Sequence, residues 1–199
     1  MSTTEPDTSP GGATASVNPN HHTDAPLRSM RILPVERAVE WIRAWAELDW
    51  PITWETAYAT RDKLGWTPNP EDPELFTTEL TVNQDGGYLS TLDDACSGLS
   101  IPLCSRNLSA EPNTPWTTSL WLAHDAIADA LTKLYGTGKQ TGDRSDVLQT
   151  DWILSNQVTV SLVASDKSMS VMLDSPEVTA IDQWDAYYVE KYGEDYVDD

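Results

Sequence analysis

Two short runs constrain this chain more than any other feature. Val158, Val160 and Leu162 take every second position, and so do Met169, Val171 and Leu173. A side-chain period of two buries one face of a strand. Ser165-Asp166-Lys167, between the runs, is turn chemistry. Strands joined by so short a turn must pair antiparallel, because a parallel pair needs a long crossover. A sheet with one apolar face needs helices to cover it.

Helical spacing supplies that cover. After Pro34, which suits a first helical position, Val35, Ala38, Val39, Ile42, Trp45 and Ala46 follow one buried face, widened by Trp41 and Leu48. Pro51 ends the helix. Thr53 can cap a second one through Trp54, Ala57, Tyr58 and Leu64, closed by Gly65. A third helix opens at Thr114-Pro115, carries Leu120, Ile127, Ala128, Leu131 and Leu134 on one side, and stops at Gly136. Ser175-Pro176 starts the last, with Val178, Ile181, Trp184 and Tyr188 expected to face inward.

Between these helices lie further strands. Phe76, Leu80 and Val82 alternate, Asp85-Gly86 reads as a turn, and Tyr88 to Leu92 returns. Leu99, Ile101 and Leu103 alternate too, although Pro102 reduces that segment to an edge strand or loop. Trp152 to Leu154 forms a short strand, preceded by a polar loop. The expectation is an α+β fold in the order ααββ(β)αβββα. Its antiparallel sheet has about five to six strands, with helices packed on one face. The order hints at two similar halves, each a helix followed by a meander.

Length and composition set the domain plan. A chain of 199 residues suits one domain. Residues 1–29 are rich in Pro, Gly, Ser, Thr and Asn and read as a disordered tail. Residues 30–192 form the single domain, and 193–199 an acidic tail. Met30 is an alternative start. No stretch has the ~20 apolar residues of a membrane span, and the N-terminus lacks a secretory pattern. Cys96 and Cys104 therefore read as reduced thiols in a cytoplasmic protein, a disulfide closing the short loop between them being the alternative.

Charge is the strongest functional signal. Thirty-two acids oppose twelve bases, a net −20. The tail holds Glu5, Asp7, Asp24 and Arg28, leaving −18 for the rest. Such a charge repels nucleic acid and anionic membrane, and it steers a basic partner into contact.

Catalytic chemistry is poorly represented. His124 stands alone in the folded part, near the apolar face of the third helix, with Asp125 and Asp129 on another face. A packed or half-exposed histidine is the expectation. One usable histidine and two unclustered cysteines make no zinc set. Gly136-Thr137-Gly138-Lys139-Gln140-Thr141 follows a helix and lacks the first glycine of a phosphate loop, since position 133 is Lys133. Pairs such as Asp93-Asp94, or Asp143 and Asp146, arise by chance in so acidic a chain. No cofactor is expected.

Aromatic residues point to binding. Trp41, Trp45, Trp50, Trp54 and Trp66 read mainly as core and corner packing. Toward the C-terminus rings and acids interleave. Trp184, Asp185, Tyr188, Tyr192, Glu194 and Asp195 are the candidate partner-binding residues, offering stacking surface beside negative charge to Arg or Lys.

The stretch from Met30 to Trp66 resembles the start of an uncharacterised family of small acidic actinobacterial proteins, a domain of unknown function. Leu33-Pro34, Trp41, Trp45, Asp49-Trp50-Pro51, Trp54 and Leu64-Gly65-Trp66 carry the resemblance. The later hairpin, long helix, Trp152 and paired strands extend it across 30–175. It brings no catalytic residue. It implies likeness to the small acidic proteins that accompany secreted bacterial toxins. The expected function is therefore a non-enzymatic, immunity-type antagonist that occludes a basic toxin, possibly a nuclease. The alternatives are a secretion chaperone for an exported protein and a DNA mimic. An enzyme would instead need a pocket holding His124 or a carboxylate pair with shifted titration.

Overall fold

The computed structural model describes residues 31–81 and 86–193. The expected tail 1–29, Val82, Asp85, Glu194 and Asp195 lie outside the described residues. Four helices and eight strands follow in the order α1 (Val35–Ala46), α2 (Trp54–Lys63), β1 (Thr67–Pro68), β2 (Leu75–Thr77), β3 (Gly87–Leu92), β4 (Ala95–Pro102), α3 (Pro115–Tyr135), β5 (Lys139–Gly142), β6 (Leu148–Ile153), β7 (Thr159–Ser165), β8 (Ser168–Asp174) and α4 (Pro176–Tyr192).

The fold is α+β with one antiparallel sheet, as the alternation requires. The sheet has eight strands rather than five or six, in the order β1-β2-β3-β4-β8-β7-β6-β5. The extra strands were illegible for a physical reason. β1 is two exposed residues, and β5 (Lys139 to Gly142) is exposed throughout, so neither carries an apolar period. β5 is the segment that read as a polar loop. Conversely, the strand expected through Leu80 and Val82 stops at Thr77, and Leu80 is buried in a turn in which Thr81 N–H bonds Thr78 O.

Two four-stranded meanders, each preceded by a helix, meet at the β4–β8 seam. β4 is therefore central, which corrects its demotion to an edge or loop. Pro102 is tolerated because it pairs with Ser170 of β8 beyond the end of β3, whose last partner on β4 is Ser100. The N–H that proline lacks would point to the β3 side, since the next amide, Leu103 N–H, donates to Met169 O at 2.9 Å. Gly98 lies at the same seam, where a Cβ would fall on the Leu173 carbonyl oxygen, leaving no room for a side chain.

Register settles which residues share a face. Leu89, Leu99, Leu173, Val160 and Trp152 form one inner row, and Ile101, Val171, Leu162 and Thr150 another. All are buried beneath α1, α2 and α3. α1 supplies Ala38, Trp41, Ile42, Trp45 and Ala46, and α3 supplies Leu120, Ile127 and Leu131. Leu134, expected on that face, is 47% exposed. Trp66 packs edge-on to Trp41 (5.1 Å between centroids) and stacks on Phe76 (4.6 Å). Trp50 and Trp54 are half-buried corner residues, in line with their expected role.

Two local signals behave as read: Thr53 Oγ1 accepts from Thr56 N–H, and Gly65 takes φ +78°. Pro34, expected at the first helical position, is instead the extended residue just before α1. Thr114 and Thr117 form a reciprocal capping box at α3.

The outer face carries a different set. One row runs Tyr88, Ser100, Met172, Ser161, Asp151, Lys139, and the next holds Gly98, Asp174, Thr159 and Ile153. α4 lies here. Thr179 is its only buried residue, and its hydroxyl bonds Thr159 on this outer face. Helices therefore pack on both faces of the sheet, three inside and α4 outside, which corrects the one-face expectation.

Candidate functional site

α4 faces its sheet with its polar side. Thr179, Asp182, Gln183 and Ala186, which share one face of the helix, line a cleft of about 330 Å³ with Asp151, Thr159, Ser161 and Asp174. Ser175 starts the helix by accepting from Val178 N–H at 3.3 Å. The apolar residues were expected to turn inward. Instead Ile181 is 44% exposed and Trp184 60% exposed. The chain puts small and polar side chains against the outer sheet because that face is itself polar, which leaves the rings pointing away.

Those rings form a ladder. Trp184, Tyr188 and Tyr192 are each four residues apart and stack at 6.0 and 5.7 Å, with planes 26° and 21° apart. Tyr187 joins edge-on to Trp184 and Tyr188. Lys191 lies over Tyr187 and Tyr192, 5.2 and 5.0 Å from the centroids, and donates to the Tyr187 hydroxyl at 3.0 Å. Hydrogen bonds to these two tyrosines raise its pKa. The helix thus already holds one ammonium on its rings. A second cleft of about 480 Å³ lies along Ala180, Gln183, Trp184 and Tyr187. Of the six expected partner-binding residues, the structure brings Trp184, Asp185, Tyr188 and Tyr192 onto this one helix. Tyr187 belongs to the same aromatic run in the sequence but stands outside the six expected residues, and the structure adds it to the ladder.

Beneath α4 the carboxylates are perturbed. Burial first, then the charges of Asp182 and Asp151, push Asp174 up to about 6. Burial and Asp185 likewise raise Asp182. This is the shifted pair that an enzyme would need, in part. However, no described side chain hydrogen-bonds Asp174, and no histidine or thiol lines the cleft. Among the described residues no group of three or more His, Cys, Asp or Glu side chains can hold a metal.

His124 is buried in α3. Its Nδ1 lies 3.2 Å from Asp125 Oδ1, which corrects the expectation that Asp125 points elsewhere: the carboxylate reaches round the helix. Arg144 pairs with that carboxylate at 2.5 Å and lies over Trp121, 5.1 Å from its centroid. Desolvation raises the Asp125 pKa, but the hydrogen bonds from Arg144 and His124 outweigh it, so the net shift is downward. His124 Nε2 is sealed from solvent without a partner, and His124 lines none of the clefts described here. This is a packed histidine. Cys96 and Cys104 are free and buried, and burial pushes both thiols up to about 11. Neither has the thiolate character of a nucleophile. Asp143 turns the chain between β5 and β6 by accepting from Ser145 N–H and Oγ.

A model of a family of unknown function, DUF6301, matches residues 36–175. The chain belongs to that family. No curated protein matches, and no solved structure matches. The DUF6301 match covers α1 to β8 and ends at Ser175, the cap of α4. The ladder therefore lies outside the part of the chain that DUF6301 describes, on a helix appended to the outer face of the sheet.

Proposed function

We propose that this protein is a non-enzymatic binding protein that docks a basic partner on α4, acting in the cytoplasm as an immunity-type antagonist of a basic toxin. The observation that supports this is the inverted helix. An amphipathic helix normally hides its apolar stripe, whereas α4 hides Thr179 and displays Trp184, Tyr187 and Tyr192. Exposed aromatic clusters are the usual anchors of protein interfaces. The surrounding −20 supplies steering toward a cationic surface. Lys191, seated on the rings, is an internal example of the contact a partner's Lys or Arg would make.

A DNA mimic would present a bare row of carboxylates. Here acids alternate with rings, which favours a protein surface with both apolar and basic residues. A secretion chaperone would hold its substrate mainly by burial, so its complex would resist salt. Affinity capture from the native organism at low salt, followed by a high-salt wash, separates the readings. A basic toxin domain released by salt, with its activity blocked by this protein, supports the antagonist. An export substrate that survives the wash supports the chaperone instead.

A further inference from the structure

Ile181, Trp184, Tyr188 and Lys191 follow one another at spacings of three, four and three residues, the repeat of a helix–helix seam. Thr179 and Ala186, seven residues apart, lie on the opposite side of α4, the first buried and the second lining the cleft over the sheet. The seam is therefore turned away from the rest of the protein. The cleft of about 480 Å³ gives this seam its relief. Its walls are Ala180, Gln183, Trp184 and Tyr187, which stand at i, i+3, i+4 and i+7 of one helix, and no described residue of the sheet contributes. Four residues so spaced form the hole that receives one side chain from a facing helix. Ala180 is small, and Trp184 meets Tyr187 edge-on at 6.3 Å, so the hole stays open.

We infer that the partner docks with an α-helix of its own, which lies along this seam, sets an apolar side chain in the hole and flanks it with Lys or Arg; the inference rests on the reading that a basic partner docks on α4. Periodicity argues for a helix. A strand presents one face every second residue, about 6.6 Å apart, out of step with holes that repeat every turn, about 5.4 Å. Length allows it, since 17 residues of α4 span about 25 Å. Charge selects the kind of helix. Glu177, Asp182, Asp185 and Glu190 are exposed on α4 against the one base Lys191. A second copy of α4 would bring the same acids to the seam, whereas a basic helix neutralises them. Lys191, already seated on Tyr187 and Tyr192, shows that a cation fits beside the rings.

The test is a titration of the full ¹⁵N-labelled chain with three synthetic peptides. One is an amphipathic helix with Leu at the seam positions and Lys elsewhere. The second has the same composition with Leu and Lys alternating as in a strand. The third is the helical peptide with Glu in place of every Lys. Expected are saturable shifts at the Trp184 indole and at the amides of residues 180–191 with the basic helical peptide, and binding about tenfold weaker for each of the others. Ala180→Leu fills the hole and should weaken the basic helical peptide about tenfold. It should melt with the wild type, because Ala180 is exposed and Leu is a good helix former. No saturable shifts with the basic helical peptide, equal binding of the alternating isomer, or unchanged binding to Ala180→Leu overturns the assignment. Dimerisation of the chain alone that Ala180→Leu abolishes, read by sedimentation, gives the seam to a second copy and overturns it too. Docking on α4 itself is read separately, by the dependence of the captured partner on Trp184 and Tyr188, so the two failures are distinguishable.

Discussion

The hydroxyls of Thr159 and Thr179 lie 2.8 Å apart, and this single bond joins the outer face of β7 to the first turn of α4. Thr179 is the one buried residue of that helix. Loss of the bond should free α4 with little effect on the core. Thr179→Ala is expected to cost about 1 kcal/mol. Hydrogen exchange should accelerate along residues 177–192 while the β7–β8 amides keep their protection.

Asp174 gives the docked helix a pH dependence with a definite sign. Its folded pKa, about 6, lies above that of an unfolded aspartate, because burial and the facing Asp182 and Asp151 disfavour the charge. The folded state therefore binds the proton more tightly. The contribution of Asp174 to stability is fully present below about pH 4 and is lost as pH rises through 6. Asp174→Asn removes the penalty. It should raise stability at pH 7.5 by roughly 1–2 kcal/mol, discounted for the partial exposure of the carboxyl, and leave it unchanged at pH 4. Thermal melts of both proteins across that range test the sign.

Gly98 tests the seam. A methyl group there would fall on the Leu173 carbonyl, a backbone atom of the neighbouring central strand. Gly98→Ala should cost about 2 kcal/mol or more, while Gly65→Ala, at φ +78° in open space, pays only for its left-handed backbone. Denaturant unfolding of the two variants would rank them in that order.

How far the sequence could be read depended on what each element buries. Val160, Leu162, Val171 and Leu173 alternate because one face of their strands is core, so the central hairpin was legible. Lys139 to Gly142 bury nothing, so β5 was not. Pro102 misled because a proline excludes a strand interior only where its missing N–H would meet a partner. The position of α4 was hidden for another reason. Ile181, Trp184 and Tyr188 have the spacing of a buried face, and only the polar outer rows holding Asp151, Ser161 and Asp174 show why the rings turn outward. The candidate residues were found through their aromatic and acidic interleaving, not through periodicity, which pointed the wrong way.

The outward rings should be dispensable for folding. Trp184 has 60% of its surface in water, so Trp184→Ala should change stability by no more than about 0.5 kcal/mol. Trp66→Ala, in the core stack with Phe76, should cost about 3–5 kcal/mol. Thermal unfolding of the pair separates a displayed tryptophan from a structural one.

The central claim is that α4 docks a basic partner through its displayed rings. The most direct measurement is calorimetric binding of the captured partner to the wild type and to the Trp184→Ala/Tyr188→Ala double variant, with melting curves alongside. The account predicts affinity weakened at least 100-fold, about 3 kcal/mol, at a nearly unchanged melting temperature. Undiminished affinity in a folded double variant would contradict it.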